Sequence, residues 1–198
     1  MPLRLVVLIS GTGSNMADLL GRVREHPDAG LDVVAVGADR EAPGLASAKD
    51  HGVETFVVEF PGSDRRAEWG EKLADTVETY SPDLVVLSGL MRLVPPDVVR
   101  RFEGRLINTH PSYLPDFPGP HAVRDQVEAG VSEAGASIIV VDNGVDTGPI
   151  IEQERVAVMP DDTEESLHNR IKQTERDLLW RVLTELAAGQ RRLPVGQD

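Results

Sequence analysis

Leu3-Arg4-Leu5-Val6-Val7-Leu8-Ile9 runs directly into Ser10-Gly11-Thr12-Gly13-Ser14-Asn15, and the reading of this junction decides the fold. The first seven residues are a short, nearly unbroken apolar run, the pattern of a strand buried on both faces. Beyond the glycines, Met16 to His26 carries Leu19, Leu20 and Val23 at helical spacing. A buried strand, a glycine turn and a helix together predict the opening unit of an α/β domain.

The same alternation continues outward from that unit. Strands are predicted at Asp32 to Gly37, Thr55 to Glu59, Leu84 to Ser88, Leu106 to His110, Ala136 to Val141 and Ile150 to Val158. Helices are predicted at Pro43 to His51, Asp64 to Tyr80, Pro95 to Phe102, Ala122 to Ala129 and Thr163 to Ala188. The last two strands are candidates for antiparallel pairing, while the rest suit a mostly parallel sheet with helices on both faces. Pro111 to Pro120 reads as a proline-rich loop. With no repeat, low-complexity tract or linker, residues 1–189 are expected to form one domain, followed by a polar tail over 190–198.

Composition narrows the function classes. A chain of 198 residues buries about 70% of its unfolded surface and needs no covalent staples. It has no cysteine, which excludes disulfides, thiolate metal sites and cysteine nucleophiles and fits a reducing compartment. The net charge of −13 argues against sequence-independent nucleic-acid binding and against anionic membrane surfaces. It reads as a solubility property of the outer surface. No stretch approaches the roughly 18 apolar residues of a membrane span. Met1-Pro2-Leu3-Arg4 lacks a basic leader region and a cleavage site, so the opening reads as mature structure and a cytoplasmic location is expected.

Three segments carry candidate chemistry. In the glycine turn, free N–H groups at a helix start would bind an anion, with Ser14 and Asn15 as added donors. The third glycine of a dinucleotide fingerprint is replaced by Met16, and no P-loop lysine is present, so a single phosphate fits better than a dinucleotide or triphosphate. A tight turn that binds nothing is the alternative. In the second segment, strand alternation projects Leu106, Asn108 and His110 together, toward the carboxyl edge where parallel sheets bind ligands. An amide and an imidazole side by side can donate to one oxyanion, although a capping Asn and a satisfied His would give the same pattern. The third is the loop Asp142-Asn143-Gly144-Val145-Asp146-Thr147-Gly148-Pro149, whose aspartates are either turn residues or partners for an imidazole.

Other residues point less sharply. His121 reads as a capping or packing residue, and His26, His51 and His168 as solvated. Neither HExxH nor Cys-x-x-Cys occurs, so no metal site is expected. Arg65 and Arg66, at a helix start, are either carboxylate ligands or a solvated pair. Glu175 interrupts the apolar row Leu167, Ile171, Leu178, Val182, so it is expected at the rim of the core or bonded to a partner.

Taken in order, Ile9 to Asn15, Gly89-Leu90-Met91-Arg92, Asn108 to Pro115, Phe117-Pro118-Gly119 and Val145 to Ile150 resemble the phosphoribosylglycinamide formyltransferase family, folate-dependent enzymes of purine synthesis. The resemblance runs from Leu3 to about Ala188. It implies a Rossmann-like formyltransferase domain whose small-molecule substrates are glycinamide ribonucleotide and the co-substrate 10-formyltetrahydrofolate, without a metal. It further implies Asn108, His110 and Asp146 as the catalytic trio. Gly13, Ser14, Asn15, Lys172 and Glu175 match ribonucleotide positions, within the segment Lys172-Gln173-Thr174-Glu175. Arg66, Met91, Arg92, Leu93, Val94, Asp142, Asn143, Gly144, Val145 and Asp146 match folate positions, shared with Asn108. Tyr113 and Trp180 depart from the family's usual Leu and Pro. A homodimer is a candidate assembly. Two related activities remain as alternatives: a formyltetrahydrofolate hydrolase, which carries an extra regulatory domain, and a formyltransferase for initiator methionyl-tRNA, which carries a basic RNA-binding domain. A non-catalytic nucleotide-binding module is the third.

Overall fold

The computed structural model describes residues 1–194. Strand β1 (Leu3–Ile9) is an interior strand, third from one edge of a seven-stranded sheet, and its side chains alternate between two apolar cores. Leu5, Val7 and Ile9 face one core, and Val6 and Leu8 face the other. This is the period-2 geometry expected of a strand covered on both sides.

Helix α1 (Ser14–Glu25), β2 (Leu31–Ala38), α2 (Gly44–Asp50) and β3 (Glu54–Val57) build one flank of the sheet. The chain then passes through a 3-10 turn, Ser63–Arg65, and α3 (Arg66–Glu78) to β4 (Leu84–Leu87), α4 (Pro96–Arg101) and β5 (Leu106–His110) on the other flank. Helix α5 (Ala122–Glu128), β6 (Glu133–Val140), β7 (Ile150–Ala157) and α6 (Glu164–Ala187) complete it. The strand order is β3-β2-β1-β4-β5-β6-β7. All pairs from β3 to β5 are parallel, whereas β6 runs antiparallel to both β5 and β7.

Helices α1, α2, α5 and α6 cover the Leu5 face, and α3 and α4 cover the other. The long α6 starts at a capping box, in which the Thr163 hydroxyl accepts from the Ser166 N–H and the Ser166 hydroxyl accepts from the Thr163 N–H. Its stripe Leu167, Ile171, Leu178, Leu179, Val182 and Leu183 is buried.

The observed boundaries differ from the sequence expectation in identifiable places. The helix expected from Asp64 divides into the 3-10 turn and α3. Strand β6 begins three residues before Ala136, because Glu133-Ala134-Gly135 supplies backbone pairing to β7 without an apolar run. Helix α1 begins at Ser14, inside the glycine turn. The polar tail is anchored where it is described: Arg191 pairs with Glu185 and Glu152, and Leu193 packs on the core. Val195 to Asp198 lie outside the described residues. No described helix is long and apolar enough to cross a membrane.

Because the chain leaves β1 toward β2 and later returns to place β4 on its other side, the sheet reverses direction between β1 and β4. Ligands of open α/β sheets bind outside the carboxyl ends of the strands at such a point. Here the two exits are joined: the Ser10 N–H donates to the Gly89 carbonyl at 3.0 Å.

Candidate active site

A cleft of about 390 Å3 opens at this edge. Its walls come from the segment after β4 (Gly89 to Val94), the end of β5 (Asn108 to Pro111), Gly119-Pro120 and the loop after β6 (Val141, Asp142 and Gly144 to Asp146). Leu106 packs in the α3/α4 core and Ile107 in the opposite one. Asn108 and His110 therefore follow Leu106 toward one side, and Thr109 faces α6, where its hydroxyl hydrogen-bonds Glu175.

Asn108, His110 and Asp146 converge although the acidic loop lies 38 residues from Asn108. The Asn108 amide donates to Asp146 Oδ1 at 3.4 Å. His110 Nδ1 is 3.4 Å from Asp146 Oδ2, with side-chain exposures of 5% and 14%. The Gly119 N–H donates to the same Oδ2 at 2.8 Å. His110 Nε2 lies 3.0 Å from the Phe117 carbonyl. Each ring nitrogen thus faces an oxygen atom. Asp146 reaches this position at φ 54°, a left-handed backbone that Asp adopts more readily than most residues. Phe117 also has a positive φ, of 53°.

On the opposite side of β5, the glycine turn meets α6. Gly13 has φ 62°, a left-handed conformation that favours glycine, and a Cβ there would stand 2.9 Å from the flexible end of Met16. Asn15 donates to Glu175 Oε2 at 3.0 Å and accepts from Arg176 Nε at 3.0 Å. Its amide is committed to holding the turn against α6. Glu175 is 4% exposed, and burial pushes its pKa up to about 7 against the opposing Asn15 hydrogen bond and the charges of Lys172 and Arg176. The interruption in the apolar stripe is therefore a buried carboxyl with partners.

Glu175 makes stability pH-dependent with a definite sign. Its carboxyl titrates near 4.5 when unfolded and near 7 when folded. Between these values the folded state binds more protons, so stability falls as pH rises and the full loss is reached above about 7. The whole effect amounts to about 3 kcal/mol. Glu175→Gln is expected to gain most of that on the parent near pH 8 and little below pH 4.5. Urea unfolding at the two pH values checks it; an equal difference at both would refute the assignment.

The formyl transferase family pattern matches residues 3–183. The chain belongs to the formyl transferase family. It is 45% identical over 187 residues to a phosphoribosylglycinamide formyltransferase of Mycobacterium tuberculosis, covering 94% of this chain and 86% of that one. The phosphoribosylglycinamide formyltransferase of Escherichia coli K12 is 33% identical over 191 residues, covering 96% and 90%. The crystal structure of glycinamide ribonucleotide transformylase 1 from Symbiobacterium toebii superposes with a TM-score of 0.89 at 37% identity, covering 98% of this chain and 94% of that one.

Within this formyl transferase, the residues matched to folate fall into two groups. Met91, Arg92, Leu93, Val94, Asp142, Gly144 and Val145 line the cleft, as do Asn108 and Asp146. Arg66 and Asn143 are not among its walls. Arg66 donates to the Leu93 and Val94 carbonyls at 2.8 and 3.0 Å, tying the start of α3 to that wall. Asp142 accepts from the Gly144 N–H and the Thr147 hydroxyl, so its carboxylate shapes its own loop. Gly13, Ser14, Asn15, Lys172 and Glu175 lie outside this cleft.

Several positions differ from the sequence reading. His26 is exposed, as the sequence reading expects, with its ring centroid 5.6 Å from that of Trp180, whereas His51 is half-buried and its Nδ1 lies 2.8 Å from the Ser47 carbonyl. His168 is half-buried, and burial followed by the nearby Lys172 charge lowers its pKa. His121 is exposed and makes no side-chain cap. Tyr113 lies under the Arg155 guanidinium, 4.0 Å from ring centroid to Cζ. Phe117 and Gly119 enter the sequence reading only as part of the resemblance, with no role of their own, because they act through backbone atoms; Asp39 does not enter it at all. Among the described residues no cluster of three or more His, Cys, Asp or Glu side chains could hold a metal ion.

Proposed function

We propose that this formyl transferase moves the formyl group of 10-formyltetrahydrofolate onto the amine of glycinamide ribonucleotide, a step of de novo purine biosynthesis. The names of its relatives support the reaction. The observation that carries our assignment of residues is the meeting of Asn108, His110 and Asp146 in one cleft at the sheet's reversal point.

The reaction forms a C–N bond between the ribonucleotide amine and the formyl carbon and breaks the bond to N10 of the folate. A proton leaves the attacking amine, and one is gained at N10. The carbonyl oxygen becomes an oxyanion between these events. Asn108 has two amide hydrogens; Asp146 holds one and the other is available to that oxyanion. His110 donates to the same oxygen when the formyl group takes the place of the Phe117 carbonyl at Nε2. Asp146 orients both donors. It also relays the amine proton through water. Alignment of amine and formyl carbon by the two binding regions supplies a further large share of the rate.

Following tetrahydrofolate release with and without glycinamide ribonucleotide tests the reaction. Release that requires the ribonucleotide is expected. Release without it is the outcome for a hydrolase, and none under either condition is the outcome for a binding module. No observation here favours those alternatives.

We place the ribonucleotide phosphate at the start of α1, where the Ser14, Asn15 and Met16 N–H groups have no intrahelical acceptor. Ser14→Asp sets a negative charge there. It is expected to weaken the ribonucleotide by about 1–3 kcal/mol, roughly tenfold to a hundredfold, and to leave folate affinity within a few-fold. Calorimetry with each ligand separates the two; equal weakening contradicts the placement. The cysteine-free composition supports a cytoplasmic location.

A further inference from the structure

Asp39 follows the last residue of β2 at the carboxyl edge of the sheet, and its side chain is fully buried. A carboxylate in that setting needs partners, and it has three. Arg92 Nε donates to Oδ2 at 2.6 Å, Arg40 donates to both oxygens at 3.3 and 3.0 Å, and the Ser10 hydroxyl hydrogen-bonds the same group. Ser10 Oγ in turn accepts from the Met91 N–H at 2.8 Å. One carboxylate therefore fixes two consecutive residues of the cleft wall, Arg92 through its side chain and Met91 through Ser10.

The way Arg92 is held determines what it can offer. Asp39 takes Nε, and the guanidinium carbon stands over the Phe60 ring, 4.3 Å from its centroid. Arg92 lines the cleft, is 30% exposed, and its two terminal amino groups have no hydrogen-bond partner among the described residues. A planar guanidinium with both terminal groups presented matches a carboxylate bidentately. Of the two substrates in the proposed reaction, the folate carries carboxylates, on its glutamate end.

We propose that Asp39 is a positioning residue that locks Arg92 in the orientation required to bind a carboxylate of the folate's glutamate end. The inference rests on the formyl-transfer reading above. Asp39 touches no reacting atom; it sets the angle of a group that binds the co-substrate, and without it Arg92 turns about a flexible stem.

The test compares 10-formyltetrahydrofolate with 10-formyltetrahydropteroate, which lacks the glutamate. The parent is expected to show a KM about tenfold lower for the folate than for the pteroate analogue. Asp39→Asn is expected to remove most of that preference while KM for the ribonucleotide and kcat stay within threefold. Arg92→Met, which leaves Asp39 paired with Arg40, is expected to remove the same preference by raising KM for the folate, and serves if Asp39→Asn does not fold. A parent without preference, a variant that keeps the parent's preference, or an equal rise in KM for both co-substrates overturns the proposal. Absence of transfer by the parent with either co-substrate overturns the formyl-transfer reading itself, and this inference with it.

Discussion

Asp146→Asn is expected to lower kcat by about a hundred- to a thousandfold while both substrates still bind within a few-fold of the parent. The reason is the count of donors on one carboxylate. Asn108 donates to Oδ1, and Gly119 and His110 face Oδ2. An amide of the same shape has one acceptor end and one donor end. Whichever way it turns, its NH2 group faces one of those donors, so either Asn108 or His110 is displaced. The volume of the side chain is unchanged, and none of the residues placed at the ribonucleotide is touched. Single-turnover kinetics and calorimetry on the same preparation check both halves. Turnover within a few-fold of the parent would remove Asp146 from the proposed chemistry.

Asn108→Ala is expected to cost about 2.7–4 kcal/mol of barrier, the range for losing one oxyanion donor. The loss should fall on kcat, because the interaction strengthens only as charge develops on the carbonyl oxygen. The position is partly buried at the end of β5, beneath Asp146, so the truncation also frees Oδ1 from a partner. A large rise in KM with kcat preserved would mean that Asn108 binds ground-state substrate and does not stabilise the oxyanion.

The fold was readable where burial leaves a pattern in the chain. The apolar runs of β1, β2 and β4 and the stripe of α6 follow from which faces must be dry, and Glu175 was noticed because it broke such a stripe. The start of β6 was missed since Glu133, Ala134 and Gly135 pair through backbone atoms that every residue possesses. Asp39 follows a strand in the segment Ala38-Asp39-Arg40-Glu41, which reads like any polar turn. Its burial depends on Arg92, 53 residues away. The approach of His110 to Asp146 likewise has no local signature; it came from likeness to a family, and spacing alone would not have supplied it. Arg66 is matched to the folate by resemblance, and its hydrogen bonds to the Leu93 and Val94 carbonyls have no sequence signature, because charge type does not reveal which acceptor a long side chain reaches.

Asn15 bridges Glu175 and Arg176 across 160 residues of sequence. During synthesis the amino-terminal half emerges first, and domains begin to fold as they appear. The turn at the start of α1 therefore waits, with its amide unmatched, until the final helix has cleared the ribosome. A chain released between residues 157 and 175 would carry all seven strands of the sheet and none of the clasp that closes it. The shape of the opening turn is in this sense a property of the finished polypeptide alone.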